Sequence, residues 1–216
     1  MELNKYIDHT NLKMDATIDD IKKLCEEAKN YKFAAVCVNP CYVELASSLL
    51  QDTGVDVCTV VGFPLGMNKT ITKEYEAIAA IEDGADEIDM VINVGALKDK
   101  DYSYVKQEIE SVRDAIDGKV LKVIIETSLL TDEEIVKMTE ICNETFVNFI
   151  KTSTGFGKRG ASVHDIELMK NHANELLEIK ASGGITSENQ ALELINEGAT
   201  RIGTSSGVKI IMGSDK

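Results

Sequence analysis

The chain is short of positive charge. Lys and Arg number 23 against 37 Asp and Glu, a formal net charge of −14 over 216 residues. Such a surface disfavours nonspecific contact with nucleic acid or anionic membrane, so an anionic ligand must be held by a local site against the overall field. No apolar stretch approaches the length of a membrane span, and no charged-then-apolar signal segment opens the sequence. The five cysteines, Cys25, Cys37, Cys41, Cys58 and Cys142, are odd in number and lack a disulfide-framework spacing, which fits a reducing cytoplasmic setting. Cys37 and Cys41 form a lone C-x-x-x-C without a second cysteine or histidine pair nearby, and His9, His164 and His172 are scattered. No metal site is expected. No Gly/Ser-rich linker, low-complexity tract or compositional break divides the chain, so a single domain over residues 1–216 is expected.

Alternation dominates what is present. Hydrophobic residues make up 44% and charged residues 28%, a globular balance sufficient for one buried core. Apolar strand-like runs occur at residues 6–10, 33–39, 55–62, 87–93, 120–127, 148–152, 177–182 and 201–204, with amphipathic segments between them. Val105, Ile109, Val112 and Ile116 follow helical spacing. Thr131-Asp132-Glu133-Glu134 and Ser187-Glu188-Asn189-Gln190 each have the form of a capping box. Glu82-Asp83-Gly84-Ala85 and Asn196-Glu197-Gly198-Ala199 echo each other, each placing a glycine where a helix would end in a left-handed cap. Eight such units predict an α/β fold, a (β/α)8 barrel of the TIM type, with a doubly wound open sheet as runner-up.

Two lysines lie inside apolar runs, in Phe149-Ile150-Lys151-Thr152 and Glu178-Ile179-Lys180-Ala181, one strand–helix unit apart. A buried ammonium is costly unless paired or neutralised, and a neighbouring cation lowers the pKa of its twin. A neutral lysine is a nucleophile toward carbonyl carbon, so the pair points to Schiff-base chemistry. The competing reading is two structural lysines, each paired with a carboxylate at a strand end. In a barrel the active face lies at the C-terminal ends of the strands. Asp8 would close the first strand, and Asp89 would reach across a narrow mouth to Lys151. Lys122, in a third apolar run, reads as an interior ion pair with Glu126 on the same face. Cys37 reads as core.

Anion-binding signals gather late in the chain. Gly183-Gly184 leaves backbone N–H groups open after the seventh strand, and Gly203-Thr204-Ser205-Ser206-Gly207 follows the eighth. That last segment also matches the G-x-S-x-G hydrolase elbow, but no histidine follows His172 to complete the hydrolase order. Gly155-Phe156-Gly157-Lys158-Arg159-Gly160 lacks the Walker pattern, because Arg159 stands where Ser or Thr is required.

Ordered segments along nearly the whole chain resemble the deoxyribose-phosphate aldolase family of class I aldolases. They include Tyr6-Ile7-Asp8-His9-Thr10-Asn11-Leu12, Val36-Cys37-Val38-Asn39-Pro40, Val61-Gly62-Phe63-Pro64-Leu65-Gly66, Ala85-Asp86-Glu87-Ile88-Asp89-Met90-Val91-Ile92-Asn93 and Leu121-Lys122-Val123-Ile124-Ile125-Glu126-Thr127. The most specific are Lys151-Thr152-Ser153-Thr154-Gly155, Lys180-Ala181-Ser182-Gly183-Gly184 and Gly203-Thr204-Ser205-Ser206. The resemblance implies a (β/α)8 barrel with Lys151 as Schiff-base lysine, Lys180 as second essential lysine and Asp89 as catalytic aspartate. It places Asp8 near the second lysine, Thr10 on the substrate-facing segment, and phosphate contacts at Gly155, Gly183, Gly184, Ser205 and Ser206. The implied reaction is reversible cleavage of 2-deoxy-D-ribose 5-phosphate to glyceraldehyde 3-phosphate and acetaldehyde, in deoxyribonucleoside catabolism. Neither metal nor organic cofactor is implied; the expected partners are the sugar phosphate and aldehydes, with a homodimer at family level. Two departures stand out. Some members carry a lysine directly after Thr-Ser-Thr-Gly, where this chain has Phe156, and Lys158 or Arg159 would have to compensate. Some end in a tail with a terminal tyrosine, whereas this chain reads Gly213-Ser214-Asp215-Lys216. Two alternatives stay open: a different lysine aldolase acting on a ketose phosphate, and a non-catalytic sugar-phosphate binder.

Overall fold

Eight parallel strands close into a barrel in sequence order, the eighth pairing with the first. The computed structural model describes residues 2–213; the chain-end residues 214–216, where the tail departure was noted, lie outside the described residues. The strands are β1 (Ile7–Asn11), β2 (Ala35–Val38), β3 (Asp56–Val61), β4 (Glu87–Val91), β5 (Val120–Ile124), β6 (Phe149–Lys151), β7 (Glu178–Ser182) and β8 (Arg201–Thr204). Around them run α1 (Ile18–Tyr31), α2 (Val43–Leu50), α3 (Thr70–Glu82), α4 (Val94–Lys98), α5 (Tyr102–Ala115), α6 (Asp132–Glu144), α7 (Val163–His172), α8 (Glu188–Glu197) and α9 (Gly207–Met212). The (β/α)8 expectation holds, and closure through the β1–β8 pairing rules out the open sheet. Among the described residues no helix is long and apolar enough to cross a membrane.

Each element follows from local rules. In α1, Ile21, Leu24, Cys25 and Ala28 are buried at three- and four-residue spacing, so one stripe faces the barrel. Val105, Ile109 and Val112 do the same in α5. Capping boxes open α6 and α8 as read from the sequence, and two more, at Thr17/Asp20 and Ser162/Asp165, open α1 and α7. Those two use aspartate where the usual pattern has Glu or Gln, which hid them. Gly84 and Gly198 both adopt positive φ, 102° and 142°, each beyond the left-handed helical basin, so the expectation of a simple left-handed cap is corrected at both.

Apolar residues from the strands' outer faces and the helices form the main core between the two layers. The barrel interior is different. A small apolar wedge of Leu12, Ala35, Cys37, Cys58 and Val60, with Phe63 against it, fills one side. Charged side chains fill the other. Strands stop before the apolar runs do: β4 ends at Val91 and β5 at Ile124, and the chain then leaves the ladder to build loops on the C-terminal face. Asp8 needs correction, for it is the second residue of β1 and lies deep in the barrel instead of closing the strand.

A buried ion pair outside the barrel fixes one of these loops. Lys73 Nζ lies 2.7 Å from Glu108 Oε1 with both side chains fully buried, and it also donates to Gly66 O and Val91 O. Glu108 in turn accepts from the Asn93 amide at 3.0 Å. Removing one partner leaves an uncompensated buried charge, so Glu108→Gln is expected to destabilise the fold by about 3–5 kcal/mol. A urea midpoint unchanged from the parent protein would refute that role for the pair.

Candidate active site

Adjacent strands bring the sequence's charged residues into register inside the barrel. Asp89 on β4 lies opposite Lys122 on β5, Lys151 on β6 opposite Lys180 on β7, and Lys180 opposite Arg201 on β8. Asp89 Oδ2 accepts from Lys151 Nζ at 2.7 Å and from Lys180 Nζ at 2.8 Å. Its Oδ1 accepts from Lys122 Nζ at 2.8 Å and from the Cys58 thiol at 3.1 Å. Lys180 also donates to Asp8 Oδ2, and Asp8 Oδ1 accepts from Arg201 at 2.8 Å. Arg201 reaches Glu87 Oε1 at 3.2 Å, and Lys122 donates to Glu87 as well. Both cations lie over the Phe149 ring, Arg201 at 5.2 Å and Lys122 at 5.8 Å from its centroid.

Three carboxylates and four cations thus share one dry compartment. Burial pushes the Asp8 carboxyl up, but Lys180, Arg201 and Lys122 outweigh it and hold it well below the usual carboxylate range. Burial acts likewise on Asp89, and the three lysine charges hold it far below that range. For Lys180, burial disfavours the ammonium, yet Asp8 and Asp89 overcome this and keep it protonated well above the ordinary lysine value. The same balance, with Asp89, Cys58 and Glu87 nearby, raises Lys122. Lys122 is therefore an interior ion-pair residue as expected, but its partner is corrected: Glu87 and Asp89 hold it, not Glu126. Two thiol–carboxylate groupings, Cys37/Cys58/Asp89 and Asp8/Cys58/Glu87, have cation-ligand spacing. Their Asp89, Asp8 and Glu87 oxygens already accept from lysine or arginine, so a metal ion would have to displace those cations.

Above this network a cleft of about 850 Å³ opens on the C-terminal face. Thr10, Lys151, Gly155, Gly183, Gly184, Ser205 and Ser206 all line it. Lys151 is 3% exposed and touches both the cleft and the buried network. Asp89, Lys180 and Asp8 are fully buried beneath it and do not line it; Asp8, expected among the substrate-binding residues, instead pairs with Lys180 and Arg201. The backbone amides of Gly155, Gly183, Gly184 and Ser205 have no acceptor among the described residues. The Ser206 amide is taken by Thr204 Oγ1 at 2.9 Å.

The loop after β6 carries a second correction. Neither Lys158 nor Arg159 lines the cleft. Arg159 is held by Asp165 at the start of α7 and by Thr127 O, so it does not replace the lysine absent at Phe156. Phe156 instead meets Phe63 edge-on, with centroids 5.5 Å apart. Glu126, at φ 52°, turns back to accept from the Thr154 amide and hydroxyl, fixing the loop that follows Lys151. Gly160 packs against Gly183 so closely that a Cβ would sit 1.8 Å from the Gly183 carbonyl oxygen. Sequence reading missed Glu87, Arg201, Cys58 and the supporting Glu126, because only strand register reveals what they touch. It also missed Lys13 and Lys209, which line the cleft; both sit a few residues past a strand end, the one signal available.

Residues 3–213 match the family model described as DeoC/LacD family aldolase. The chain is 60% identical over 213 residues to the deoxyribose-phosphate aldolase of Finegoldia magna, covering 99% of this chain and 100% of that protein. It is 55% identical over 215 residues to that of Enterococcus faecalis, covering 99% and 98%. Among solved structures, an aldolase designated QR15 superposes with a TM-score of 0.93 at 44% identity, over 97% of this chain and 94% of that one. The deoxyribose phosphate aldolase of Aeropyrum pernix, described as a unique tetramer, gives 0.91 at 33% identity, over 97% and 89%.

The depressed Asp8 carboxyl sets a pH dependence. A carboxylate whose folded pKa lies below its unfolded value, about 3.9, contributes fully above that value and loses its contribution as pH falls toward the folded one. Asp8→Asn is therefore expected to cost about 3 kcal/mol or more at pH 7, since it leaves Lys180 and Arg201 underpaired. The gap between parent and variant should stay flat down to about pH 5 and narrow below about pH 4. Urea unfolding across that range decides it; a gap that widens in acid contradicts the ion-pair account.

Proposed function

The chain belongs to the DeoC/LacD family of aldolases, and from that premise we propose that it cleaves 2-deoxy-D-ribose 5-phosphate reversibly through a Schiff base on Lys151. The observation that carries this reading is the position of Lys151 Nζ, at the floor of the cleft and 2.7 Å from an Asp89 oxygen that Lys180 shares. Attack on carbonyl carbon requires a neutral amine. Among the four interior cations Lys151 has a single carboxylate partner, where Lys180 and Arg201 have two each and Lys122 has more.

The amine adds to the C1 aldehyde of the open-chain sugar, and loss of water gives the imine. Once protonated, the imine accepts the electron pair of the C2–C3 bond as that bond breaks. The C3 hydroxyl gives up its proton and leaves as the aldehyde of glyceraldehyde 3-phosphate. The enamine remaining on Lys151 gains a proton at C2, and hydrolysis of the resulting imine releases acetaldehyde and the free amine. Asp89 is the buried carboxylate within reach of both lysines, and it serves the proton transfers with Lys180 and a water in the cleft. Amides of Gly155, Gly183, Gly184 and Ser205, with the Ser205 and Ser206 hydroxyls, face the phosphate, and Thr10 borders the sugar. This activity would place the protein in the breakdown of deoxyribonucleosides.

Incubation with the sugar phosphate and sodium borohydride should reduce the imine to a stable secondary amine on Lys151, mapped by peptide mass spectrometry. Lys151→Ala should abolish trapping and turnover. Asp89→Asn should slow turnover by about 10²-fold or more while leaving some trapping, because general acid–base assistance is worth that much. An adduct on another lysine, or a fully active Lys151→Ala, sinks the assignment.

A further inference from the structure

We infer that Lys13 and Lys209 together supply the positive charge that selects a phosphorylated substrate, in place of a lysine at Phe156. The inference rests on the deoxyribose-phosphate reading above and names the residues that set its specificity. The neutral half of the phosphate site, made of glycine amides and serine hydroxyls, contains no charge. In a chain of net charge −14, a phosphate dianion entering it needs local cations. Four lysines line the cleft: Lys13, Lys23, Lys151 and Lys209. Lys151 is committed to Asp89 at 2.7 Å, and Lys23 lies 3.9 Å from Glu27. Neither Lys13 nor Lys209 has a carboxylate partner within salt-bridge distance among the described residues, although Asp20 and Glu27 line the same cleft and Lys13 lies near enough to Asp20 to help hold its carboxyl low.

Their places in the fold bring them to one wall. Lys13 follows β1 by two residues, and Lys209 follows β8 by five, on the α9 turn that continues from Ser205 and Ser206. β1 and β8 are paired strands, so these loops are neighbours at the barrel mouth. Both lysines are exposed, and a lysine presents a point charge on a long four-carbon stem. Lys158 and Arg159 lie off the cleft, and Phe156 contributes an apolar ring.

The experiment compares 2-deoxyribose 5-phosphate with 2-deoxyribose across Lys13→Gln, Lys209→Gln, the double variant and Lys158→Gln. A charge-assisted contact predicts that each cleft variant raises KM for the phosphorylated sugar about tenfold, with kcat changed less than about twofold. The ratio of kcat/KM between the two sugars should fall about tenfold per lysine, Lys209→Arg should restore most of it, and Lys158→Gln should leave it unchanged. Equal losses on both sugars, or no loss on either, overturn the inference. Titration with inorganic phosphate, followed by 31P NMR, separates this from the catalytic reading. Weaker phosphate binding in the cleft variants supports the lysine assignment even if the parent protein fails to turn over; undiminished phosphate binding refutes it even if turnover is normal.

Discussion

A single carboxylate that accepts from three ammonium groups is the constraint on which the barrel interior depends. Asp89 uses one oxygen for Lys151 and Lys180 and the other for Lys122 and Cys58. Charges buried this deeply are tolerated only when paired and hydrogen-bonded. Asp8 and Glu87 extend the network through Arg201, which returns on Phe149. The participants come from β1, β4, β5, β6, β7 and β8, so no open sheet could assemble them. Closure and charge pairing therefore depend on each other: the barrel brings the charges together, and their pairing removes the cost of enclosing them.

The loops above that network are held by other means. Glu126 accepts strained backbone geometry to secure Thr154, and Arg159 ties the far end of the same loop to Asp165 and Thr127. The closely packed Gly160 and Gly183 join this loop to the one after β7. On the opposite side, the Lys73–Glu108 pair draws the loop after β3 onto the end of β4, while Phe63 from that loop meets Phe156. A cleft framed by such fixed supports needs little reorganisation when a ligand enters, which is what a site for ordered bond cleavage requires.

Strand positions were legible because each buried parallel strand is a continuous apolar run, and a closed barrel repeats that signal eight times. Lys151 and Lys180 were legible for the opposite reason: a charge breaking such a run demands an explanation. The partners of Lys122 were not. Glu126 shares its strand and its periodicity, but the contact goes to Glu87 and Asp89 across the ladder, and cross-strand register cannot be read from one segment. Asp8 reads as the end of the first strand, but Thr10 and Asn11 beyond it continue the ladder. Arg159 reads as a substitute for the lysine absent at Phe156, but its guanidinium fork is satisfied by a carboxylate six residues on.

The structure separates two electrostatic tasks by depth. Below, cations and carboxylates are buried and mutually paired, so salt screens them much less than it screens surface charges. Above, the cleft is open, and its unpaired lysines stand in water where an anion can be captured and released. Among the described residues, Lys151 is the one charged side chain of the network that also lines the cleft, with Asp89 on one side and the cleft on the other. In the proposed reaction a nucleophile at that boundary meets Asp89 on the buried side and the carbonyl on the open one. The overall negative charge of the chain fits the same division, because it leaves the cleft lysines as a local exception in a repelling surface.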